Sequence, residues 1–303
     1  MTITCFKSVS LLRYRNEQRQ QVALKLKKAG FNVQHIGRCF KLARSSFYLN
    51  VKPKAIKSDD IRLEAAVKHI HNEMDGTYGS RRMMIELNHQ GYRVGRYKVR
   101  RLMRRFKLIA KRPRLHRYPW PGKASVIAPN HLNRQFNPGQ LNTHWSGDIT
   151  YIRTGQGWLY LAIIVDLCSR KIISWAFSDK PNTELTTRAI RLAVNKREPL
   201  TGVIFHSDQG AQYTSEAFQY CLRELGIQAS MSRAGNCLDN AVTERVFRSL
   251  KSERVNYRRY QTRQQAKADI IDYIEPFYNQ KRRHHKLGNI SPVEYEMKLM
   301  KSA

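Results

Sequence analysis

Apolar positions recur along this chain with two different periods, and the period changes near residue 140. Before that point the spacing is three to four residues, as on one face of an amphipathic helix. It predicts helices over residues 17–29, 33–40, 44–50, 58–74, 80–88 and 96–106. Short turns separate these helices, so the first three and the last two have the spacing of helix-turn-helix units.

Aromatic and β-branched residues dominate the second half and predict strands. The predicted strands are HWSGDITYI (144–152), GWLYLAIIVDLCSR (157–170), KIISWAFSD (171–179), 202–205 and 227–232. Helices are predicted over 183–196, 215–225 and 239–253, the last capped by Asp239. The order βββαβαβα predicts an α/β fold in which an antiparallel meander extends into a mixed sheet with helices on its faces.

Breaks in this pattern divide the chain into five segments. Seven prolines and glycines at 113–140 interrupt both periods and predict a linker. The predicted segments are a helix-turn-helix-like region (1–57), a second, basic helix-turn-helix module (58–112), a basic Pro-rich linker (113–140), the sheet-containing core (141–253) and a basic helical extension (254–303).

The charge of the chain points to a polyanionic partner. Lys and Arg number 55 against 23 Asp and Glu, giving a net charge of +32. Between Gly76 and Lys123 there are fifteen basic residues and one acid, Glu86. A run of one sign favours phosphate contacts over a merely solvated face, so nucleic acid is the expected partner.

No apolar run approaches the roughly 20 residues that span a bilayer, and no secretory signal is recognisable. We therefore expect a cytoplasmic protein.

Three acids stand beside the predicted apolar strands of this acid-poor chain: Asp148, Asp208 and Glu244. Taken singly, Asp208 could begin a turn and Asp148 could be a hydrogen-bonded strand residue. Glu244 could be a solvated acid in the first turn of a helix, where it interacts favourably with the helix dipole. Taken together, if the first and fourth strands are neighbours, they form a cluster of oxygen donors that suits Mg²⁺ or Mn²⁺. Two such ions form a known clamp for displacement at phosphorus.

The motifs that carry these acids resemble the DDE transposases of bacterial insertion sequences. The similarity is to the downstream-frame protein (OrfB) of the IS-three family, whose RNase H-like catalytic core is shared with retroviral integrases. The matching stretches are TYGSRRMMIELNHQGYRVGRYKVRRLMRR, WSGDITYI, IVDLCSRKIISW, HSDQGAQYTS, SMSRAGNCLDNAVTERVFRSLKSE and FYNQKRRHHKLGNISPVEYE. Thirty-five residues separate Asp208 from Glu244, which is the family's spacing, and Lys251 matches a basic residue of the same motif.

This resemblance implies the roles. Asp148, Asp208 and Glu244 would bind two divalent ions, water would attack the phosphodiester at the element's end, and the freed 3′-hydroxyl would attack another strand. It also implies double-stranded DNA as partner, a homo-oligomer on paired ends, a frameshift fusion with an upstream-frame protein, and association with the bacterial nucleoid. The expected DNA contacts are Lys251, Arg248, Arg81, Arg82, Arg96, Lys98, Arg101, Arg105, Arg44, Ser45 and Ser46.

Several residues have competing interpretations. Asp166 is interpreted as structural rather than as a fourth ligand, since buried acids are usually hydrogen-bonded. His206 could position phosphate or be structural. His284 and His285 lack cysteine partners, which favours phosphate contact over zinc. For the whole chain, the alternatives to a transposase are a DNA-binding regulator with an inactive core and a plain metal-dependent nuclease.

Overall fold

The computed structural model describes residues 16–42, 58–111, 127–133, 135–198, 202–233 and 240–302. The chain divides into two compact units, Met1–Arg62 and Leu63–Ala303. In the described part of the first unit, α1 (Asn16–Lys28) and α2 (Val33–Phe40) enclose a small core of Ala23, Ile36 and Phe40. Asn32 begins α2 by accepting a hydrogen bond from the Gln34 amide at 2.8 Å. The predicted helix at 44–50 lies outside the described residues.

Helix α3 (Ser58–Glu73) leads into the second unit, followed by α4 (Ser80–His89) and α5 (Arg96–Arg105). The apolar spacing predicted these helices, and Leu63, Val67 and Ile70 form the buried stripe of α3. On α5 the buried positions are Val99, Leu102 and Met103. The remaining seven positions of α5 are exposed, and six of them are Arg or Lys.

Five strands form one mixed sheet in the order β3-β2-β1-β4-β5. They are β1 (His144–Thr154), β2 (Gly157–Asp166), β3 (Ile172–Ser178), β4 (Ile204–Ser207) and β5 (Gln228–Met231). The meander β1-β2-β3 is antiparallel, whereas β4 pairs parallel to both β1 and β5. Strand β2, between β3 and β1, is a Leu/Ile/Val run buried over its last six residues, as expected for a strand covered on both faces. The predicted α/β fold class is confirmed.

The helices that follow the meander are α6 (Thr183–Arg197), α7 (Ala211–Thr214), α8 (Glu216–Glu224) and α9 (Ala241–Glu253). Side chains of α6 and α8 share one core with Trp145, Ile164 and Phe205 of the sheet. Residue 239, the predicted cap of the last helix, lies outside the described residues.

The opposite face of the sheet packs on the rest of the second unit. After α9 the chain forms α10 (Arg263–Asp272), a π-helical segment (Tyr273–Asn279) and α11 (Pro292–Ser302). One hydrophobic cluster joins β1 and β2 to α9, α10 and the π-helical segment, and it also contains the buried side chains of α3, α4 and α5. The basic helical segment thus shares its core with the sheet.

Candidate active site

Asp148 and Asp208 are brought to neighbouring positions by the register of two parallel strands. In the β1–β4 pairing His144 lies opposite Ile204 and Ser146 opposite His206. Continuing that register by two residues sets Asp148, on β1, against Asp208, which directly follows β4. The two residues are therefore neighbours where β4 ends, a position at which open sheets gather ligands.

Gly147 leaves room for two buried side chains of the neighbouring strands. A Cβ built at residue 147 would lie 2.5 Å from Phe205 Cζ and 3.1 Å from Ile164 Cδ1. Any larger side chain would displace the buried ring of Phe205, so only glycine fits at this position of β1. Its position immediately before Asp148 fixes the backbone that carries the first carboxylate.

Helix α9 carries Glu244 over the same part of β1. The Thr243 and Ser146 hydroxyls lie 2.5 Å apart, and Asn240 Nδ2 donates to the Gly147 carbonyl at 3.5 Å. Both contacts join the first turn of α9 to the two residues before Asp148. Glu244, one residue after Thr243, is consequently held on the side of the sheet from which Asp148 projects.

The three carboxylates interact electrostatically. Burial raises the pKa of Asp148 well above its ordinary value, and the charges of Asp208 and Glu244 raise it further, whereas the Ile149 amide and the Lys251 ammonium oppose the shift. Burial likewise raises the pKa of Asp208. For Glu244, burial raises the pKa, Arg248 opposes it and Asp208 adds to it. Negative charge in this site is thus poorly compensated by the protein.

This donor set fits a hard divalent cation. Carboxylate oxygens are the ligands that Mg²⁺ and Mn²⁺ prefer, and a cation would stabilise the charged forms that burial disfavours in all three acids. Within the described parts of the chain, however, no three acidic, histidine or cysteine side chains are gathered closely enough to form a ready metal-binding group. The acids share one electrostatic environment without converging on a single point.

Three stretches of the chain match domains of known protein families. Integrase core domain models match residues 139–237 and 244–300, and an HTH-like domain model matches 57–116. The IS904 transposase of Lactococcus lactis is 39% identical over 77% of this chain and 93% of its own length. Transposase InsF of IS3A from Escherichia coli is 33% identical over 89% of this chain and 96% of its own.

The chain belongs to the IS3-type transposases of bacterial insertion sequences. Its similarity to a 31 kDa protein of insertion element IS600 from Shigella sonnei is 38% identity over 86% of this chain and 96% of that protein. Among solved structures it is similar to the catalytic core domain of BIV integrase, with 19% identity, coverage of 54% and 99% of the two chains, and a TM-score of 0.40. Asp148 and Asp208 of the transposase lie in the first integrase-core match, and Glu244 begins the second.

Two basic residues of α9 interact electrostatically with the acids of the candidate site. Lys251 is buried, its ammonium lies 4.8 Å from the centre of the Tyr151 ring, and burial lowers its pKa while Asp148 opposes the shift. Arg248 is exposed. Spacings of four and three residues put Glu244, Arg248 and Lys251 on one face of the helix, as the sequence predicted.

Tyr213 is a neighbour of the site that sequence reasoning missed. Its ring packs in an aromatic cluster with Phe205 and Phe218. Burial raises the pKa of its hydroxyl, and the nearby charges of Asp148 and Asp208 raise it further. That buried hydroxyl has no hydrogen-bond partner among the described residues. The only available signal was an aromatic residue five positions after Asp208 in HSDQGAQY.

Two other polar residues near the strands are fully buried. Asp166 is fully buried and accepts hydrogen bonds from the amides of Asn142, Cys168 and Ser169 at 2.8 to 3.0 Å. This network explains the carboxylate without a metal, in agreement with the interpretation from the sequence. His206 is fully buried on β4, where its Nδ1 lies 2.9 Å from Ser230 Oγ.

The residues that the sequence selected for DNA contact lie in different environments. Arg81, Arg96, Lys98 and Arg101 are exposed on α4 and α5. Arg105 is exposed but forms an ion pair with Glu64 at 2.6 Å. Arg82 is partly buried and pairs with Glu253 at 3.4 Å, so its charge is committed within the protein. The predicted contacts Arg44, Ser45 and Ser46 lie outside the described residues. No helix in the described ranges is both long and apolar enough to cross a membrane.

Proposed function

We propose that this transposase cleaves DNA at the ends of its insertion sequence and joins the freed 3′-hydroxyl to another strand, using Asp148, Asp208 and Glu244 to hold two divalent ions, Mg²⁺ or Mn²⁺. The observation that carries the proposal is the register that sets Asp148 against Asp208 beneath the helix bearing Glu244. The raised pKa values of these acids support it, because a cation would stabilise their charged forms.

Divalent ions bound by carboxylates supply charge neutralisation and Lewis-acid activation at phosphorus. The protein's own groups position the strand. Lys251 is within electrostatic reach of Asp148, so a phosphate attracted to its ammonium lies next to the carboxylates. Arg248 is exposed one turn after Glu244 and can hold an adjacent phosphate. Both residues orient DNA and neither needs to form a covalent bond with it.

Helix α5 is the element proposed to bind double-stranded DNA. Six of its seven exposed side chains are basic, and Tyr97, the seventh, is 86% exposed. A helix of this kind in a helix-turn-helix unit lies in the major groove, where its basic residues contact phosphates and base edges. Because both ends of an element must be brought together, we expect a homo-oligomer on paired ends. The resemblance to the IS-three family further implies a frameshift fusion with an upstream-frame protein.

Strand transfer is the experiment that tests this function. A labelled element-end duplex is incubated with Mg²⁺ or Mn²⁺ and the wild type, Asp208→Ala or Glu244→Ala, with and without the upstream-frame segment. Joined products should fall about a thousandfold in both variants, since losing a metal ligand removes several kcal/mol of transition-state stabilisation. Asp179→Ala, on an exposed loop residue, is the control and should join strands normally.

The same assay separates the competing functions. DNA binding without cleavage under every condition would mean a regulator with an inactive core. Metal-dependent cleavage without joined products would mean a plain nuclease. Full activity in either carboxylate variant would remove the three acids from the mechanism.

A further inference from the structure

A cavity of about 440 Å³ lies along α9, on the flank of the helix next to Glu244. Its described lining contains no Asp or Glu. The basic side chains that line it are Arg82, Arg170, Arg245, Arg282, His284, His285 and Lys286. The cavity therefore brings together more positive charge than the three carboxylates would need as counter-charge.

Arg170 is the most informative of these residues. Only 9% of it is exposed, and its Nη2 donates to Asn137 Oδ1 in the cavity wall. Its Nη1 is buried with no hydrogen-bond partner among the described residues. A buried guanidinium nitrogen without an acceptor is costly, so an acceptor entering the cavity would be bound favourably.

Neighbouring groups of like charge act on this cluster. Burial lowers the pKa of Arg170, Tyr278, Cys168 and Asp166 oppose the shift, and the like charge of Arg245 adds to it. Burial also lowers the pKa of His284 well below its ordinary value, with Arg282, Arg82 and Arg170 adding to the shift. An anion in the cavity would relieve repulsion among groups that the fold holds together.

Part of the cluster is neutralised internally and part is not. Arg282 pairs with buried Glu253 at 2.8 Å, and Arg82 shares the same carboxylate. Arg170, Arg245 and Lys286 form no ion pair within the described regions of the chain. Arg245 and Lys286 are exposed and can move toward a ligand. The uncompensated charge thus belongs to three residues, one buried and two at the rim.

The cavity adjoins the candidate active site through α9 itself. Glu244, Arg248 and Lys251 occupy one face of this helix. Ala241, Arg245 and Ser249, at spacings of four, line the cavity from the neighbouring face. Arg245 directly follows Glu244, so a strand held by the first face passes beside the cavity.

We propose that this cavity is a second phosphate-binding site, in which Arg170, Arg245 and Lys286 hold a backbone phosphate of the DNA strand next to the one at the carboxylates. The inference rests on the proposed function, which supplies the DNA. Arginine forks match phosphate oxygens with paired hydrogen bonds, and a phosphodiester would supply the acceptor that Arg170 Nη1 lacks. The first turn of α9, which also lines the cavity, carries partial positive charge of the sign that favours an anion.

Ethylation interference tests this site without any catalytic step. An element-end duplex ethylated at one phosphate per molecule is bound in EDTA by full-length wild type and by the variant Arg245→Gln/Lys286→Gln. The control, Lys180→Gln/Arg223→Gln, removes the same charge from exposed residues outside the cavity. Arg170→Gln is a further variant, and the exposed pair keeps the test valid if that buried substitution does not fold.

We expect ethylation of one or two adjacent phosphates to cease interfering in the cavity variant alone, with affinity about tenfold lower, the effect of losing a charge-assisted hydrogen bond. An interference pattern that is the same in the cavity variant and the control would overturn the proposal. So would calorimetry in which inorganic phosphate binding is lost in the variant while the pattern on DNA is unchanged, because the cavity would then hold free phosphate only. Wild type that shows the expected interference but joins no strands would contradict the proposed function and leave this site standing.

Discussion

The Asp148 carboxylate is held where its charge is disfavoured. Burial and the charges of Asp208 and Glu244 act against ionisation, while the Ile149 amide, which donates to Asp148 Oδ1 at 2.7 Å, and Lys251 act for it. The balance raises the pKa. At neutral pH the metal-free protein therefore carries an electrostatic cost at this residue that a bound cation would remove.

Asp148→Asn should accordingly stabilise the metal-free protein. Because the folded-state pKa lies above the unfolded value of about 3.9, the free energy of unfolding falls as pH rises from about 4 through the folded pKa. Urea unfolding in EDTA at pH 7 should show the variant to be more stable than wild type, by about 1.4 kcal/mol for each unit of pKa elevation. The advantage should disappear below about pH 4.

Adding Mg²⁺ should reverse this order, since the ion would stabilise wild type and have little effect on Asp148→Asn. Asp179→Asn, an exposed substitution of the same kind, should leave stability within about 0.5 kcal/mol under either condition. If Asp148→Asn lowered stability in EDTA at pH 7, the carboxylate would be satisfied by the protein and the argument for an offsetting cation would fail.

Residue types and strand ends were sufficient to select the three acids. Asp148 lies in an apolar strand, Asp208 directly follows one and Glu244 lies on the helix after the fifth strand, and the family motif has the same spacing between Asp208 and Glu244. Arg170 and Tyr213 could not be selected in the same way. Arg170 matters because a turn with φ of 61° carries it into a cavity built by distant segments, and Tyr213 because the register of β1 and β4 brings two acids near it. Neither effect is encoded in local spacing.

At the scale of elements, one carboxylate joins four segments. Glu253, at the end of α9, accepts hydrogen bonds from Arg282 at 2.8 Å and from the Tyr273 hydroxyl at 2.7 Å, and pairs with Arg82 of α4 at 3.4 Å. Burial opposes its ionisation, but Arg282, Arg82 and the Tyr273 hydroxyl together outweigh that effect, and the pKa lies below its ordinary value. The fold therefore relies on Glu253 being charged.

Glu253→Gln should cost about 3–5 kcal/mol at pH 7, because it leaves the buried Arg282 without its counter-ion. The lowered pKa means that the stabilisation is present above the unfolded value of about 4.3 and is lost as pH falls through the folded value. Urea unfolding should show the gap between wild type and variant narrowing below about pH 4.

Glu224→Gln is the matched control. Its partner Arg191 is at 2.9 Å, but both side chains are at least 41% exposed, so this pair should contribute less than about 1 kcal/mol. Equal losses in the two variants would mean that burial does not determine the strength of these pairs. A loss for Glu253→Gln that did not change with pH would point to packing rather than charge.

At the scale of elements, the apolar period predicts which segments form strands and helices, whereas strand pairing decides where some of them begin and end. Alternation and β-branching identified β1, β2 and β3, and the helical stripe identified α6. Strand β4 was predicted at 202–205 but spans Ile204–Ser207, because parallel pairing with β5 extends it to Ser207 opposite Met231. The short helix α7 and the π-helical segment around Pro276 were missed, since neither has a helical apolar stripe long enough to detect.

Part of the predicted linker is also more ordered than its composition suggests. The amides of His131 and Leu132 donate to Ser230 Oγ on β5 at 3.0 and 3.1 Å, and Leu132 is 1% exposed. In the described part of this segment, residues 127–133 and 135–140, the prolines and glycines correctly indicated the absence of helix and strand. A single apolar residue that packs against the sheet edge gives no periodic signal.

At the scale of the whole molecule, the net charge of +32 should dominate DNA affinity. We expect the binding constant for an element-end duplex to fall about 10³–10⁵-fold between 50 and 200 mM salt, as for proteins that neutralise six to ten phosphates. Replacing Arg96, Lys98 and Arg101 of α5 by Gln should lower the slope of log K against log salt by about 2–3, because each substitution leaves one phosphate without its basic partner.

Fluorescence anisotropy over a salt series measures both quantities. The control neutralises three exposed residues elsewhere, Lys180, Arg223 and Lys301, and should lower the slope by less than about 1. A flat affinity over the salt series would contradict the electrostatic basis of binding. Equal slopes of log K against log salt for the α5 variant and the control would exclude α5 as the helix that binds the duplex.

The hydrophobic cluster that joins α3, α4 and α5 to the sheet has a geometric consequence. If α5 binds the duplex, packed side chains set the distance between the bases that α5 contacts and the phosphodiester at Asp148. A flexible linker would not fix that distance. One inserted base pair moves the cut site by about 3.4 Å and turns it by roughly a tenth of a helical turn. The protein then fixes this distance. Each end of the element must therefore have the same number of base pairs between its recognition bases and the cleaved bond.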